Sequence, residues 1–306
     1  MSYLQQELQV IEQTRSQVSD PGDQLDEQEA KTRKRIALMH AVAGQLPDAA
    51  EHFTRAAALQ PDSAELHALL GKALMELGRR DEADQVLRHA LALDARSAQA
   101  HAALGWLLMT KPDDDQAMQH LRTALQIDPG LVPPHDHLAN ILAKHGKFAQ
   151  AAEHYRAALA EPSPQIHYKL AKVLTMTGGL DEALNHFRHA LRTRPDWVAA
   201  MNGAAWILAT HPSDKQRDAK QALRIAKEAA TMTHYEDAPL LNTLAAAYAA
   251  AGEFKRAVAT ARAAIAIAEQ DDDTAVAEQI RHYLQWYERG EPYRQEPAAG
   301  RDNSAQ

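Results

Sequence analysis

The sequence repeats itself every 34 residues. Between Ala64 and Ser97 it reads AELHALLGKALMELGRRDEADQVLRHALALDARS. Leu70, Gly71 and Leu74 mark the apolar stripe of one amphipathic helix, Gly78 interrupts the pattern, and Ala83, Leu87 and Ala90 mark the stripe of a second. The same spacing returns over 98–131. A fixed period read as helix–turn–helix predicts a stacked array, in which each unit buries its apolar face only against its neighbours. Aligned on small residues, seven units span 30–63, 64–97, 98–131, 132–163, 164–197, 198–237 and 238–271. The fourth is two residues short at Glu161-Pro162-Ser163, and the sixth carries an insertion around Ser213–Asp218. Solvated turns tolerate such length changes.

Three columns are almost pure alanine. Position 8 of the unit holds Ala37, Gly71, Gly105, Ala139, Ala171, Ala205 and Ala245. Position 20 holds Ala49, Ala83, Ala117, Ala151, Ala183, Ala222 and Ala257, and position 27 holds Ala56, Ala90, Ala124, Ala158, Ala190, Ala229 and Ala264. Such columns predict helix axes that approach with no room for a larger side chain. Position 24 supplies bulk as Phe53, Leu87, Leu121, Tyr155 and Phe187, except in the last two units, where Ala226 and Ala261 stand. Gly44, Gly78, Gly146, Gly178 and Gly252 end the first helices, as expected of left-handed C-caps, and Thr-x-Pro turns replace them at Pro112 and Pro212. Pro61, Pro129 and Pro195 close units.

This pattern resembles the tetratricopeptide repeat family: Leu at 7, Gly or Ala at 8, Ala at 20, an aromatic or Leu at 24, Ala at 27 and Pro at 32. The usual Trp at position 4 is absent, and His67, His101, His135 and His167 stand there. The resemblance covers about 30–271. It implies an all-α fold, a right-handed superhelix (α-solenoid) of about seven antiparallel helix pairs, and a concave groove lined by the first helix of each pair. It also implies a protein-binding scaffold.

Residues 1–29 read as an N-terminal helix, with Leu4, Leu8, Ile11 and Val18 on one face, stopped at Asp20-Pro21-Gly22 and followed by a linker. A docked cap is the expected role, with a dimerisation helix the alternative. Residues 272–290 read as a C-terminal capping helix, N-capped by Asp273 or Thr274, with Val276, Ile280, Leu284 and Tyr287 on one face. Residues 291–306 read as a disordered tail.

The net charge of −8 argues against a general nucleic-acid binder. With no cysteine, disulfides, thiolate metal sites and Cys nucleophiles are excluded. No run reaches the roughly 18–20 apolar residues that span a bilayer, and no signal peptide is legible, so a cytoplasmic location is expected. No GxSxG, P-loop, GxGxxG or HExxH motif occurs, and His211, Ser213 and Asp214 read as a polar turn. The chain is therefore expected not to be an enzyme.

Sixteen histidines invite a metal reading. One ion cannot be shared down the position-4 column, because stacked helices lie about 8–10 Å apart and ligands must come within about 2 Å. Those imidazoles are expected to fill space between helices. The pairs His186/His189 and His135/His137 offer two ligands without a third, so no metal and no cofactor is expected. A pH-sensitive stack is the softer alternative.

In a fold of this kind positions 2, 5, 9 and 12 line the groove. They place Lys31, Lys34, Glu65, Lys72, Met75, Gln99, Trp106, Met109, Asp136, Asn140, Gln165, Tyr168, Lys172, Thr175, Asn202, Trp206 and Asn242 there. Four lysines against Glu65 and Asp136 give a basic excess inside an acidic chain. Exposed Trp, Tyr and Met have the composition of interface hot spots. Asn side chains suit the backbone of an extended peptide. From this set Lys34, Lys72, Met75, Trp106, Met109, Asn140, Tyr168, Lys172, Asn202, Trp206 and Asn242 are the expected partner-binding residues, with Trp106 and Trp206 packed against a neighbouring repeat as the alternative. A carboxylate clamp for chaperone C-termini is not expected: Leu38 replaces the Asn that Lys34 requires, and Asp136 replaces the Lys that Asn140 requires. The basic run Lys31-Thr32-Arg33-Lys34-Arg35 reads as a solvated face, with docking of an acidic segment the alternative. The expected function is a scaffold or adaptor that binds a peptide or helix of another protein, acidic in character. The alternatives are a self-assembling oligomeric scaffold and an accessory subunit of a multiprotein enzyme or secretion complex.

Overall fold

The structure, a computed structural model, describes residues 2–17, 22–111, 113–160 and 163–295. Val18, the stop at Asp20-Pro21, the turn at Pro112, the junction at Glu161-Pro162 and the tail from 296 lie outside the described residues.

The described residues form sixteen helices and no strand. They are α1 (Ser2–Gln17), α2 (Gly22–Val42), α3 (Leu46–Leu59), α4 (Ala64–Glu76), α5 (Arg80–Leu93), α6 (Ala98–Leu108), α7 (Asp114–Ile127) and α8 (Val132–Lys144). Then follow α9 (Phe148–Ala158), α10 (Pro164–Thr177), α11 (Leu180–Thr193), α12 (Val198–Thr210), α13 (Ala219–Met232), α14 (Ala238–Ala250), α15 (Phe254–Gln270) and α16 (Thr274–Glu288). No helix among the described residues is long and apolar enough to cross a membrane.

The chain divides into two compact units, residues 1–141 and 142–306. In the first, α2 packs on α3, α4 on α5 and α6 on α7, and α4 also packs on α6. In the second, α10 packs on α11, α12 on α13 and α14 on α15. The alanine columns hold these pairs. Ala49, Ala83, Ala117, Ala151, Ala183, Ala222 and Ala257 are all 0% exposed, and so are the seven alanines of position 27. The bulk at position 24 fills what the small residues leave: Phe53, Leu87, Leu121, Tyr155 and Phe187 are at most 3% exposed. The five glycines that end first helices have φ between +72° and +80°, the left-handed cap that an L side chain resists.

The two ends depart from expectation. Helix α2 begins at Gly22, so the stretch read as a linker is helical and belongs to the first pair. It also packs on α1, and part of the basic run lies against that helix, while Lys31 pairs with Glu27 and Lys34 with Glu65. Arg33 donates to Glu12 Oε1 at 2.7 Å, Thr32 donates to Glu7 Oε1 at 3.1 Å, and Arg35 lies 3.7 Å from Glu7. Arg33 and Arg35 thus meet the two glutamates of the chain's own first helix. Leu4, Leu8 and Ile36 form the apolar part of the contact.

At the other end α16 packs on α15, with Asp273 accepting from the Val276 N–H at 3.1 Å. Its buried face is Ala277, Ile280, Tyr283 and Tyr287: Ile280 and Tyr287 stand where the sequence puts them, while Ala277 and Tyr283 are buried in place of the half-buried Val276 and Leu284. Residues 291–295, expected to be disordered, are placed against α12: the Gln295 N–H donates to the Thr210 carbonyl at 2.9 Å.

Candidate functional site

In the first unit the expected site residues come from α2, α4, α6 and α8. Lys34 reaches across to α4 and donates to both Glu65 oxygens at 3.0 Å, so its charge is already met. Lys72 is exposed, without an ion pair among the described residues. Met75 is 7% exposed and belongs to the core, which corrects its expected place on the surface. Trp106 is half-buried, its indole nearly parallel to the His137 ring with centroids 5.8 Å apart. The packed alternative therefore describes part of this side chain. Met109 and Asn140 are half-buried.

In the second unit Tyr168 and Lys172 sit one turn apart on α10, and the Lys172 ammonium lies 5.8 Å from the Tyr168 ring centre. Tyr168 also packs on Trp197, with ring centroids 4.6 Å apart, and the Arg194 guanidinium lies 4.6 Å from the Trp197 ring centre. Two cations thus each contact one of two adjoining aromatic rings, an arrangement worth about 0.5–1 kcal/mol per exposed cation–π contact. Burial raises the Tyr168 phenol pKa, so this ring stays neutral.

Sequence reasoning missed Trp197, although a signal was present. Ser63, Ser97, Ser163 and Asp237 each precede a repeat and accept a hydrogen bond from the new helix. Trp197 occupies the equivalent place before α12 and makes no cap bond. Losing a cap costs about 1 kcal/mol, which is reason to look for another role at that residue.

Asn202 and Asn242 share position 5 of consecutive repeats. Both Oδ1 atoms are buried without a hydrogen-bond partner among the described residues. Asn242 is 8% exposed, and ten of the thirteen residues of α14 are buried. The expectation of an open groove residue is corrected at Asn242, because α14 is enclosed by α12, α13, α15 and α16. Trp206 is half-buried against Tyr283 at 5.2 Å and Tyr293 at 6.0 Å. It faces the chain's own C-terminal segment.

The histidines pair within a repeat. His101 Nδ1 lies 2.8 Å from His120 Nδ1, and His167 Nδ1 lies 2.8 Å from His186 Nδ1. The rings of His67 and His89 lie 4.7 Å apart. In these three repeats the position-4 imidazole faces position 23 or 26 of the second helix, whereas His135 Nε2 lies 3.2 Å from the Pro129 carbonyl. Among the described residues no group of three or more His, Asp or Glu side chains is arranged to hold a metal ion.

Family models described as tetratricopeptide repeat match residues 43–107, 98–131 and 138–196. No curated protein matches the chain by sequence. Among solved structures the chain is similar to YrrB, described as a TPR protein with an unusual peptide-binding site: 21% identity over 60% of this chain and 94% of that one, TM-score 0.52. It is also similar to pilF of Pseudomonas aeruginosa, with 16% identity, 84% of this chain, 98% of that one and a TM-score of 0.50. Yeast Tom70 is similar at 16% identity and a TM-score of 0.50, with 93% of this chain covering 58% of that one. These likenesses establish the fold. The three family matches, with the recurring glycine caps and the buried alanine columns, show a chain built of tetratricopeptide repeats.

Proposed function

We propose that this chain is a non-enzymatic interaction scaffold, and that the first helices of its repeats receive a peptide or helix of a partner protein. The observation that carries this is the Arg194–Trp197–Tyr168–Lys172 stack of the second unit. It presents two cations flanking half-buried aromatic rings, at a position where the chain forgoes a helix cap. Rings held in place lose little entropy when a partner covers them. Their cations favour an acidic segment, and Lys72 adds a further exposed charge in the first unit. The peptide-binding site named for YrrB agrees with this reading.

The test is affinity capture from the source cell with the full chain, comparing wild type with Lys172→Glu, Trp197→Ala and Trp106→Ala. Recovery of one partner should fall with Lys172→Glu and Trp197→Ala while the helical circular dichroism stays unchanged. Equal recovery with all four chains overturns the reading.

A further inference from the structure

The segment after α16 behaves as a bound ligand rather than as a tail. Residues 291–295 have no regular secondary structure and remain partly exposed. Yet the Tyr293 ring is surrounded by Tyr283 at 4.5 Å, Trp206 at 6.0 Å, Trp286 at 6.3 Å and His282 at 6.4 Å. The residues beside it are held by one main-chain and two side-chain hydrogen bonds. The Gln295 N–H donates to the Thr210 carbonyl at 2.9 Å, Gln295 Nε2 donates to Thr210 Oγ1 at 2.7 Å, and the Arg294 guanidinium donates to the Ala209 carbonyl at 3.2 Å. Ala209 and Thr210 close α12, where carbonyls have no partner within the helix.

Three observations separate this segment from an ordinary cap. First, α16 already covers the last helix pair, with Ile280 and Tyr287 each 1% exposed. Second, the fit is imperfect. Arg294 has no carboxylate partner among the described residues; burial and the nearby Arg217 both push its pKa down. Third, an acceptor is left over. Asn202 lies one turn before Trp206 on α12, and its buried Oδ1 has no hydrogen-bond partner among the described residues. The residue before Tyr293 is Pro292, which has no N–H to give.

We propose that the box of Trp206, Tyr283 and Trp286 is a subsite for an aromatic side chain on an extended segment of a partner protein, and that Tyr293 fills it in the free chain until the partner displaces it. A segment not tethered to α16, with a residue other than proline before its aromatic, has a main-chain N–H at the place where Pro292 has none. Acidic groups on it would meet the released Arg294, since Arg217 nearby is already paired with Asp214. The proposal rests on the scaffold reading above and adds a second contact point to it.

The probe is a labelled peptide of sequence ESYRQE, the internal segment with Ser in place of Pro, added to the full-length chain. Tyr293→Ala empties the box, and the probe should bind that variant at least tenfold more tightly than wild type. Replacing Tyr by Ala in the probe, or adding Trp206→Ala to the chain, should abolish the gain. Gln295→Pro removes the N–H given to Thr210 while leaving every ring in place; it should also tighten probe binding, and it serves if Tyr293→Ala does not fold. Equal binding to wild type and to a folded variant overturns the proposal and makes Tyr293 a fixed part of the fold. A concentration-dependent wild-type dimer that Tyr293→Ala abolishes also overturns it, because the occupant would then be a second copy's segment. Lys172→Glu and Trp197→Ala should leave probe binding unchanged, so failure here is distinguishable from failure of the scaffold reading.

Discussion

His167 on α10 and His186 on α11 hold their Nδ1 atoms 2.8 Å apart. One nitrogen must donate and the other accept, so at least one ring is neutral in this state. A third imidazole, His189, stacks on His167 with centroids 4.8 Å apart, and Arg192 lies 2.6 Å from His189 Nδ1. The acid facing the group is Glu182, 3.7 Å from His186 Nε2, and both of its oxygens are already bonded to Arg156 on α9. Burial first, then His186, His189 and Arg192, lower the His167 pKa to about 4. Burial lowers that of His186 as well, with Glu182 opposing.

The stability of the second unit should therefore fall with acid. The folded pKa of His167 lies below the ordinary 6.5, so between pH 6.5 and about 4 the unfolded chain binds the proton that the folded chain refuses. Stability is fully present above 6.5 and declines through that window. Because the cluster is partly solvated, the loss is on the order of 1–2 kcal/mol, a few degrees of melting temperature. The double variant His167→Gln/His186→Gln removes the titration, and its melting temperature should depend less on pH between 7 and 4.5. Identical slopes for variant and wild type would discard the mechanism.

Gly71 and Leu87 test the packing that makes the array. A Cβ on Gly71 would meet Leu87 Cδ2 at 2.4 Å and Cγ at 2.5 Å, and Leu87 is 0% exposed with nowhere to swing. Gly71→Ala gains about 1 kcal/mol of helix propensity but overpacks the contact by about 1–3 kcal/mol, so a net loss is expected. Leu87→Ala alone should cost about 2–5 kcal/mol. Together they should cost at least about 1 kcal/mol less than their sum, since each removes the other's defect. Urea unfolding of the four chains measures the coupling, and strict additivity would mean that the two residues do not share this space.

What was legible in the sequence is what recurs. Ala83, Gly71 and Leu87 are copied at fixed spacing because each helix pair solves the same contact, and Gly78 returns wherever a first helix must end. What escaped is made once. The start of α2 reads as a linker because its partner is polar: Glu29 and Arg33 are buried as ions, and no apolar stripe announces the helix. Trp197 escaped because it lies outside the helix it serves. Tyr293 escaped because one ring and one main-chain donor leave no period in a sequence of Glu, Pro, Arg and Gln. The histidine pairing was half visible: position 4 stood out as a column, but its partners at 23 and 26 alternate.

Arg33 decides whether α1 is a docked part of the fold. It is 4% exposed, bonded to Glu12 on α1 at 2.7 Å and to Glu29 at 2.6 Å, while Arg15 from α1 also lies 2.8 Å from Glu29. Breaking a buried pair costs about 3–5 kcal/mol when a charge is left alone. Here Arg15 remains beside Glu29, so Arg33→Met should cost about 2–3 kcal/mol. That loss belongs to the α1 contact, because Leu4, Leu8 and Ile11 are buried at that end. Amide exchange of Leu8 and Ile11 should accelerate more than tenfold, since about 1.4 kcal/mol already supplies that factor. Exchange in α14 should not change. His52 gives an independent reading: burial first and Arg33 second hold its pKa down, so removing the cation should move its titration toward the ordinary value. Faster exchange without that shift would mean that burial, and not the Arg33 charge, sets the His52 titration. Unchanged exchange would show that the leucines alone hold the helix.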